Sequence, residues 1–532
     1  MTQDQKEKIL VLLSCLALVF LIYGRTLAGG FVFDDRSVVE YKDTLRIEKW
    51  EQVARMPYWS EAAGLYRPVT LLSYAANFSI LGESPLGFHL VNLLLYAFSC
   101  YLLYALVRRL FSDRALAASA AALFLVLPIH SEVVANIIGR AELLALLFSL
   151  LLFLELLKDE PQSWKMVIWA FAGMGSKETA VAAIPIALVV LFIAARKSFK
   201  RSFWEYFETA SAILVGVGSY FFARLFVLGS FLPRVETSLV ENPLMFAPFL
   251  NRIATALQVL TMYLQKSFWS FGLCSDYSYN QIPVAASFWN GASLLGILAL
   301  ALFVVGFFIF LKRRPAISLA CAFFLFAYVP VSNLIMPIGT IAGERLVYFS
   351  SVGLVILAAA AIIFVAKRIS APNFAYLAGG LIVALAIFFG WRANLRSVDW
   401  LSEDRLFASA ASCAPQSVMS RSNLGAAYYL RGDYANAEKE LIAAQTIYDG
   451  YSKGVNNLGL VYWKTGRREA AREQFYQALK EPYPYPGAFE NLALMSLEEN
   501  DVVAANRWLF LFFSGDERAV AAYLATHGVG AK

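Results

Sequence analysis

The sequence predicts an all-α protein, in which a bundle of membrane-spanning helices is followed by an α-solenoid of short helical repeats. Hydrophobic residues make up 59% of the 532 residues and charged residues only 16%, whereas soluble domains are about 45–50% apolar and about 25% charged. The apolar residues fall in blocks of about 17–25, the length that a helix needs to cross about 30 Å of hydrocarbon. Near the C-terminus a short motif recurs every 34 residues.

The apolar blocks predict eleven spanning helices. The first block resembles a signal peptide, but we interpret it as an uncleaved span because no convincing small-residue cleavage site follows and many spans do. The predicted spans are 8–24, 86–107, 115–130, 139–157, 163–176, 179–195, 205–224, 288–311, 316–336, 345–366 and 372–391.

The short basic loops predict the orientation, because cytoplasmic loops carry an excess of Lys and Arg. With the N-terminus inside, every basic cluster between spans is cytoplasmic, and the C-terminus is outside. The net charge of +6 therefore indicates membrane topology, and we expect no nucleic-acid partner. The clusters are Lys6/Lys8, Arg108/Arg109/Arg114, Lys158/Lys165, Arg196/Lys197/Lys200/Arg201, Lys312/Arg313/Arg314 and Lys367/Arg368.

The long connections are all on the predicted outer side: residues 25–85, residues 225–287 and everything after 392. Segment 252–271 is apolar but carries Arg252 and Lys266, and counting it as a span would put the 312–314 cluster outside. We therefore predict an interfacial or re-entrant helix that protein shields from lipid. Binding and catalytic residues concentrate in long connections of this kind.

The C-terminal repeat has a period of 34 residues and resembles the tetratricopeptide repeat. We expect a connector helix over 393–418, three repeats over 419–520 and a tail over 521–532. Such solenoids bind extended peptides or partner proteins, although the repeats could instead brace or dimerise the protein. The equivalent positions are Asn423-Leu424-Gly425, Asn457-Leu458-Gly459 and Asn491-Leu492-Ala493; Gly432, Gly466 and Asn500; Ala437, Ala471 and Ala505; and Leu441, Phe475 and Leu509.

Charged and polar side chains collect at the predicted outer ends of the spans, where charges are costly near lipid and usually functional. Asp34 and Asp35 directly follow the first span. Adjacent carboxyl groups push their pKa values apart, so such a pair can supply a base and an orienting or metal-binding partner. A solvated loop pair is the alternative interpretation. Further polar motifs on this side are Tyr66-Arg67-Pro68, Gly87-Phe88-His89, Pro128-Ile129-His130-Ser131-Glu132, Gly139-Arg140-Ala141-Glu142, Ser176-Lys177-Glu178 and Gly343-Glu344-Arg345.

This combination suits the transfer of a sugar from a polyprenyl phosphate. Arg or Lys can hold the donor phosphate at the headgroup level through charge-assisted hydrogen bonds. A carboxylate can deprotonate an acceptor hydroxyl for attack at the anomeric carbon opposite the phosphate, which inverts the configuration. The sequence shows no dinucleotide-binding or P-loop motif, so we expect no cofactor.

The chain resembles a known family through an ordered series of short motifs. It is similar to the transmembrane and tetratricopeptide-repeat O-mannosyltransferases, which are members of the GT-C superfamily, and the resemblance covers nearly the whole chain. Animal members are longer and carry more repeats, so we expect a bacterial relative. The motifs are FVFDDR, YRPVTLLSY, GFHLVNLLLY, LPIHSEVVANIIGRAELLA, GSKET, ENP and GERLVYFSSVG, followed by the repeats.

The resemblance implies that residues 1–392 form a glycosyltransferase domain. Such a domain transfers a mannose-like sugar from a lipid phosphate to Ser or Thr hydroxyls of proteins outside the cytoplasm. The resemblance favours Asp34 over Asp35 as the base and assigns the donor phosphate to Arg140. It also implies that the enzyme needs no metal. The other matching positions are His89, Lys177 and Arg345, expected at the donor, and Arg67, His130, Glu132, Glu142 and Glu344, expected to support the site.

We therefore expect a multi-pass protein of the bacterial inner membrane, with a cytoplasmic N-terminus and periplasmic repeats, or lumenal repeats if the chain comes from the endoplasmic reticulum. The expected partners are the lipid-linked sugar, acceptor proteins held by the repeats, and membrane lipids. Two other functions compete with this one. A non-catalytic anchor could carry the repeats as a scaffold, or a related enzyme could modify a glycolipid.

Overall fold

A computed structural model describes residues 2–46, 49–59, 64–196, 202–231, 237–368, 374–480 and 484–527. None of these residues lies in a β-strand, and the regular structure is helical, so the predicted fold class is confirmed. Lys197, Lys200, Arg201 and the last five residues of the predicted tail lie outside the described residues.

The chain divides into two compact units. The membrane unit comprises Met1–Thr237, Leu244–Ser275 and Val284–Leu406, and the repeat unit comprises Ser238–Pro243, Asp276–Pro283 and Phe407–Lys532. The first fifteen helices lie in the membrane unit. They are α1 (Gln3–Tyr23), α2 (Trp50–Ala54), α3 (Pro68–Leu81), α4 (Pro85–Phe111), α5 (Arg114–Val126), α6 (Ser131–Ala135), α7 (Arg140–Leu156), α8 (Ser163–Ser176), α9 (Ala183–Ala195), α10 (Phe203–Leu228), α11 (Phe249–Trp269), α12 (Gly291–Arg313), α13 (Pro315–Tyr328), α14 (Ser351–Arg368) and α15 (Phe374–Ser397).

The membrane unit is a polytopic bundle. Seven of its described helices are long and apolar enough to cross a bilayer, and α5 with α6 forms one further apolar pair that is bent by 53°. The seven contain α1, α4, α7, α9, α10, α12 and α15. The remaining three predicted spans coincide with the shorter helices α8, α13 and α14. Every predicted span thus has a helix, whereas the number eleven stays a prediction.

Helix α11 occupies the doubtful segment 252–271 and is not among the helices that qualify as spans. Its middle is buried against α12. Ser293 donates to the Ala254 carbonyl at 2.8 Å and Thr261 donates to the Ala292 carbonyl at 2.8 Å. Gly296 leaves no room for a Cβ beside the Leu257 carbonyl. Protein therefore shields the middle of this helix, whereas its interfacial or re-entrant placement stays a prediction.

The repeat unit is built from helix pairs in register with the 34-residue period. After α16 (Glu403–Cys413), the chain forms α17 (Val418–Leu430), α18 (Tyr434–Ile447), α19 (Ser452–Lys464), α20 (Arg468–Ala478), α21 (Gly487–Glu498), α22 (Val502–Phe512) and α23 (Glu517–Thr526). The predicted connector 393–418 contains the end of α15, a 3-10 turn over Val398–Leu401, and α16.

Small residues let the two helices of each pair approach closely. A Cβ on Gly425 would lie 2.6 Å from Cγ of Leu441, and one on Gly459 would lie 2.6 Å from Cε1 of Phe475. The turn between the paired helices instead needs a left-handed residue, a conformation that Gly and Asn adopt readily. The three equivalent residues are Gly432, Gly466 and Asn500, with φ of 78°, 81° and 61°.

These two kinds of glycine should respond differently to substitution. Gly459→Ala should lower the free energy of unfolding of the repeat unit by about 1–3 kcal/mol, because the added methyl group overpacks Phe475. Gly466→Asn should change it far less, because Asn500 adopts the same conformation in the next repeat. Denaturant-dependent proteolysis of the full-length protein within residues 418–527 measures the difference. Equal destabilisation by both substitutions would contradict this account.

Candidate active site

Asp35 lies in a tight turn after the first span and is fully buried. Its Oδ2 accepts the Val32 N–H at 3.2 Å and its Oδ1 accepts the Ile138 N–H at 2.9 Å. Its own N–H donates to the Val32 carbonyl at 3.0 Å. Burial raises the pKa of Asp35 to about 7, against the opposing effect of these backbone N–H groups. Both carboxyl oxygens therefore serve to hold the turn.

Asp34, by contrast, is partly exposed. It follows Phe33, which has a left-handed backbone with φ of 51°, a conformation that is uncommon for a bulky residue. The Asp34 carboxylate lies within electrostatic range of the Arg345 guanidinium and of Tyr58. The two adjacent carboxyl groups thus have different surroundings, and only Asp34 reaches solvent.

Three ion pairs lie at the ends of the helices near Asp34. The Arg67 Nη2 and Nε donate to Glu178 Oε2 at 2.9 and 3.0 Å. Lys177 pairs with Glu142. Arg345 donates from Nη1 to Glu132 Oε1 at 2.5 Å and from its backbone N–H to Oε2 at 2.9 Å. The first and third pairs join segments 111 and 213 residues apart in the chain, and the second joins the start of α7 to the end of α8.

The three pairs form one charged cluster together with Asp34. Lys177 is within electrostatic range of both Arg67 and Arg345, and Glu142 acts on both of these arginines. The Arg345 side chain keeps 31% of its surface exposed, against 1% for Glu132, so the cluster opens to solvent at Arg345. Its members are Asp34, Arg67, Glu132, Glu142, Lys177, Glu178 and Arg345.

Six of these residues were expected at the site from the sequence, whereas Glu178 was noted only as part of the Ser176-Lys177-Glu178 motif and was given no role. A carboxylate beside a predicted cation in a buried turn is a natural partner for a second cation, here Arg67.

The two histidines among the predicted residues lie inside the bundle. His130 is fully buried, with Nδ1 2.9 Å from the Tyr96 hydroxyl and Nε2 2.8 Å from the Ser351 hydroxyl. Both of its ring nitrogens therefore have structural partners. His89 is also fully buried, and a Cβ on Gly29 would lie 3.1 Å from its Nε2. His89 thus packs beneath the chain that leads to Asp34.

Two other predicted residues face different surroundings. Arg140 is fully buried and donates to neutral oxygens of α3 and α4. This geometry favours a structural role over the predicted contact with donor phosphate. Glu344 accepts a hydrogen bond from the Cys274 N–H and lies within electrostatic range of Lys266, so its carboxylate is engaged by α11 and the segment after it.

The described residues contain no group of three or more His, Cys, Asp or Glu side chains that could hold a metal ion. The carboxylates of the cluster are instead paired with Arg and Lys side chains. In such a site the cations of the protein supply the positive charge for an anionic ligand.

The fold and this cluster define a class: a polytopic membrane protein with a charged site at the helix ends and a helical-repeat unit. Residues 67–221 match the model of the dolichyl-phosphate-mannose-protein mannosyltransferase family, and residues 455–480 match a tetratricopeptide-repeat model. The first match contains five of the seven members of the charged cluster, namely Arg67, Glu132, Glu142, Lys177 and Glu178.

The chain is also similar to curated proteins named as protein O-mannosyl-transferases. One from Caenorhabditis elegans is 29% identical, with the match covering 80% of this chain and 61% of the relative. Tmtc1 of Drosophila melanogaster is 26% identical over 81% of this chain and 60% of the relative. TMTC3 of Homo sapiens is 25% identical over 86% and 53%. The resemblance to the transmembrane and tetratricopeptide-repeat O-mannosyltransferases is therefore confirmed, and the matches span about half to three fifths of these relatives.

The buried Asp35 predicts a pH dependence of stability. Its pKa rises from an ordinary 3.8 to about 7 on folding, so between about pH 4 and pH 7 the folded state keeps a proton that the unfolded state has lost. The contribution of Asp35 to the free energy of unfolding therefore falls as pH rises through this range. The fall is about 1.4 kcal/mol per pH unit and at most about 4 kcal/mol in total.

Asp35→Asn should remove this dependence. Thermal unfolding in detergent from about pH 5 to about pH 8 measures it, with Asp43→Asn as the control, because Asp43 lies in the same outer connection and its side chain is 93% exposed. Parallel pH profiles for wild type and Asp35→Asn would contradict the assignment.

Proposed function

We propose that this chain is a membrane glycosyltransferase that moves a mannose-like sugar from a polyprenyl phosphate to Ser or Thr hydroxyls of proteins on the non-cytoplasmic side. The observation that carries the proposal is the solvent-accessible Asp34 beside a cluster of paired cations. A base next to held positive charge is what sugar transfer from a lipid phosphate requires. The named relatives and the mannosyltransferase match support the same chemistry.

In the proposed reaction Asp34 is the general base. Its carboxylate accepts the proton of the acceptor hydroxyl, whose oxygen forms a bond to the anomeric carbon of the sugar. The bond from that carbon to the phosphate oxygen breaks, and the electron pair leaves with the phosphate. Because the hydroxyl attacks opposite the leaving group, the configuration inverts. A base of this kind contributes typically about 10²–10⁴-fold to a rate.

The donor phosphate is assigned to Arg345 and Lys177. Arg345 is the more exposed of these two cations, and its guanidinium is already oriented by Glu132. Arg can bind phosphate through two parallel hydrogen bonds, and Lys acts as a point charge. Lys177 is mostly buried against Glu142, so its positive charge acts on the phosphate from the buried side of the cluster. His89 and Arg140 are enclosed, so the proposal gives them no phosphate contact.

The remaining predicted residues have supporting roles. Arg67, Glu132 and Glu142 hold the neighbouring charges of the cluster, and His130 stabilises the helix ends through Tyr96 and Ser351. Glu344 ties the segment before Arg345 to Cys274. The reaction as written uses no cofactor and no metal.

Protein acceptors are favoured by the repeat unit, because tetratricopeptide-type solenoids commonly bind extended peptides. A glycolipid acceptor would keep the same donor chemistry and leave the repeats without a role in catalysis. A non-catalytic anchor is the less favoured function, because an anchor has no use for buried ion pairs, which cost several kcal/mol of desolvation to assemble.

Replacing the proposed base tests the reaction. Asp34→Asn should lower the transfer rate by about 10²–10⁴-fold, because the amide cannot accept the hydroxyl proton. Purified protein in lipid nanodiscs is assayed with mannosyl-phosphoryl-polyprenol and Ser/Thr-rich acceptor protein, and incorporation is followed by mass spectrometry. Asp43→Asn is the matched control. Wild-type rates in Asp34→Asn would exclude Asp34 as the base. Transfer to glycolipid alone would show that the acceptor is a glycolipid and not a protein.

The proposed orientation puts the C-terminal repeats on the outer side. Asp449 is exposed, so Asp449→Cys in cells converted to spheroplasts should react with a membrane-impermeant maleimide before lysis. A cysteine introduced at exposed Lys158, in a predicted cytoplasmic loop, should react only after lysis. The reverse pattern would contradict the predicted topology.

A further inference from the structure

We infer that Arg140 and Asn92 are positioning residues, which act on Asp34 through the turn Asn136–Gly139 and the carboxylate of Asp35. The inference deepens the proposed function and rests on Asp34 being the base. The inference gives a role to Arg140, an enclosed cation that the proposed reaction does not use.

The Arg140 guanidinium makes four hydrogen bonds, all to neutral acceptors. It is fully buried, and no acidic side chain pairs with it among the described residues. Its planar face lies over the Tyr74 ring, 4.8 Å from the centroid. The hydrogen bonds run from Nε to Asn92 Oδ1 at 2.9 Å, from Nη2 to Asn77 Oδ1 at 3.0 Å and to the Phe88 carbonyl at 2.9 Å, and from Nη1 to the Ser73 carbonyl at 3.2 Å.

These acceptors all belong to α3 and α4, whereas Arg140 is the first residue of α7. The side chain therefore ties the start of α7 to two other helices. A buried charge costs free energy unless hydrogen bonds compensate it, and the fixed fork of Arg supplies several donors in one plane. Lysine has the same charge but cannot span this set of acceptors.

Asn92 holds the turn that precedes Arg140. Its Nδ2 donates to the Asn136 carbonyl at 3.0 Å and to the Ile137 carbonyl at 3.2 Å. The Tyr74 hydroxyl donates to the same Ile137 carbonyl at 3.2 Å. Gly139 closes the turn where a Cβ would meet the Val133 backbone. The Asn136 and Ile137 carbonyl groups are thus held by α3 and α4, and the Ile138 N–H donates to Asp35.

Asp35 connects the turn to the backbone that carries Asp34. One of its carboxyl oxygens accepts the Ile138 N–H and the other accepts the Val32 N–H, while the Asp35 N–H returns to the Val32 carbonyl. The peptide unit that carries Asp34 therefore lies between two fixed residues. Such preorganisation matters because a misplacement of about 1 Å can cost about 10²-fold in rate.

Hydrogen exchange tests the network without any assay of transfer. Asn92→Asp keeps an oxygen that accepts from Arg140 but removes the N–H donor to the turn. Arg140→Lys keeps the charge but removes the planar guanidinium that donates to several acceptors. Both variants should raise amide exchange in residues 31–41 and 136–139 by about tenfold or more, since local opening sets the exchange rate. Asn333→Asp is the matched control, because Asn333 also donates from Nδ2 to two carbonyls, those of Thr340 and Ile341, and it should leave exchange in 31–41 unchanged.

Kinetics then distinguishes positioning from phosphate binding. For Arg140→Lys and Asn92→Asp, we expect kcat to fall by about 10-fold or more while the KM for the lipid-linked donor stays within about twofold. A raised donor KM with unchanged kcat in Arg140→Lys would overturn the inference in favour of a phosphate contact.

The exchange results keep the two proposals separable. Unchanged exchange in 31–41 for Asn92→Asp overturns the network, whatever the transfer rates are. Raised exchange in both variants, together with a wild-type protein that transfers no sugar, supports the network and contradicts only the proposed function. If Arg140→Lys does not fold, Asn92→Asp alone decides.

Discussion

The pairing of charges inside an apolar bundle is the constraint on which the membrane unit depends. Taking an ion out of water costs several kcal/mol, and removing one partner of a buried pair is strongly destabilising. The pairs Arg67–Glu178, Glu142–Lys177 and Glu132–Arg345 each join the ends of different helices or turns. The pairing that neutralises the charges therefore also fixes the helix ends around Asp34.

The structure satisfies a buried arginine in a second way at Arg140. Here neutral amide and carbonyl oxygens of α3 and α4 take the place of a carboxylate. The cations of the polar motifs therefore fall into two groups: those paired with carboxylates, and Arg140, which is enclosed by neutral oxygens. Asp34 and Asp35 also differ in their surroundings. Asp34 is partly exposed, whereas both carboxyl oxygens of Asp35 accept backbone N–H groups.

Sequence patterns predicted a large part of this result because they report local physics. Apolar blocks predicted a helix at every proposed span, and the 34-residue period placed Gly425, Gly459 and the left-handed turn residues at their observed positions. The motifs also identified six members of the charged cluster. They gave no role to Glu178, because a residue type does not reveal which partners surround it.

The sequence by itself determined the all-α class, the membrane helices, the phase of the repeats and the set of charged residues available for chemistry. Periodicity and composition suffice for these features because helix formation and apolar burial depend on neighbours along the chain. Only the tertiary structure decided which charges pair, that Asp35 is buried while Asp34 reaches solvent, and that Arg140 is enclosed. Those outcomes depend on contacts between segments 35 or more residues apart in the chain, such as Lys177 with Glu142 and Glu132 with Arg345, and local patterns carry no information about them.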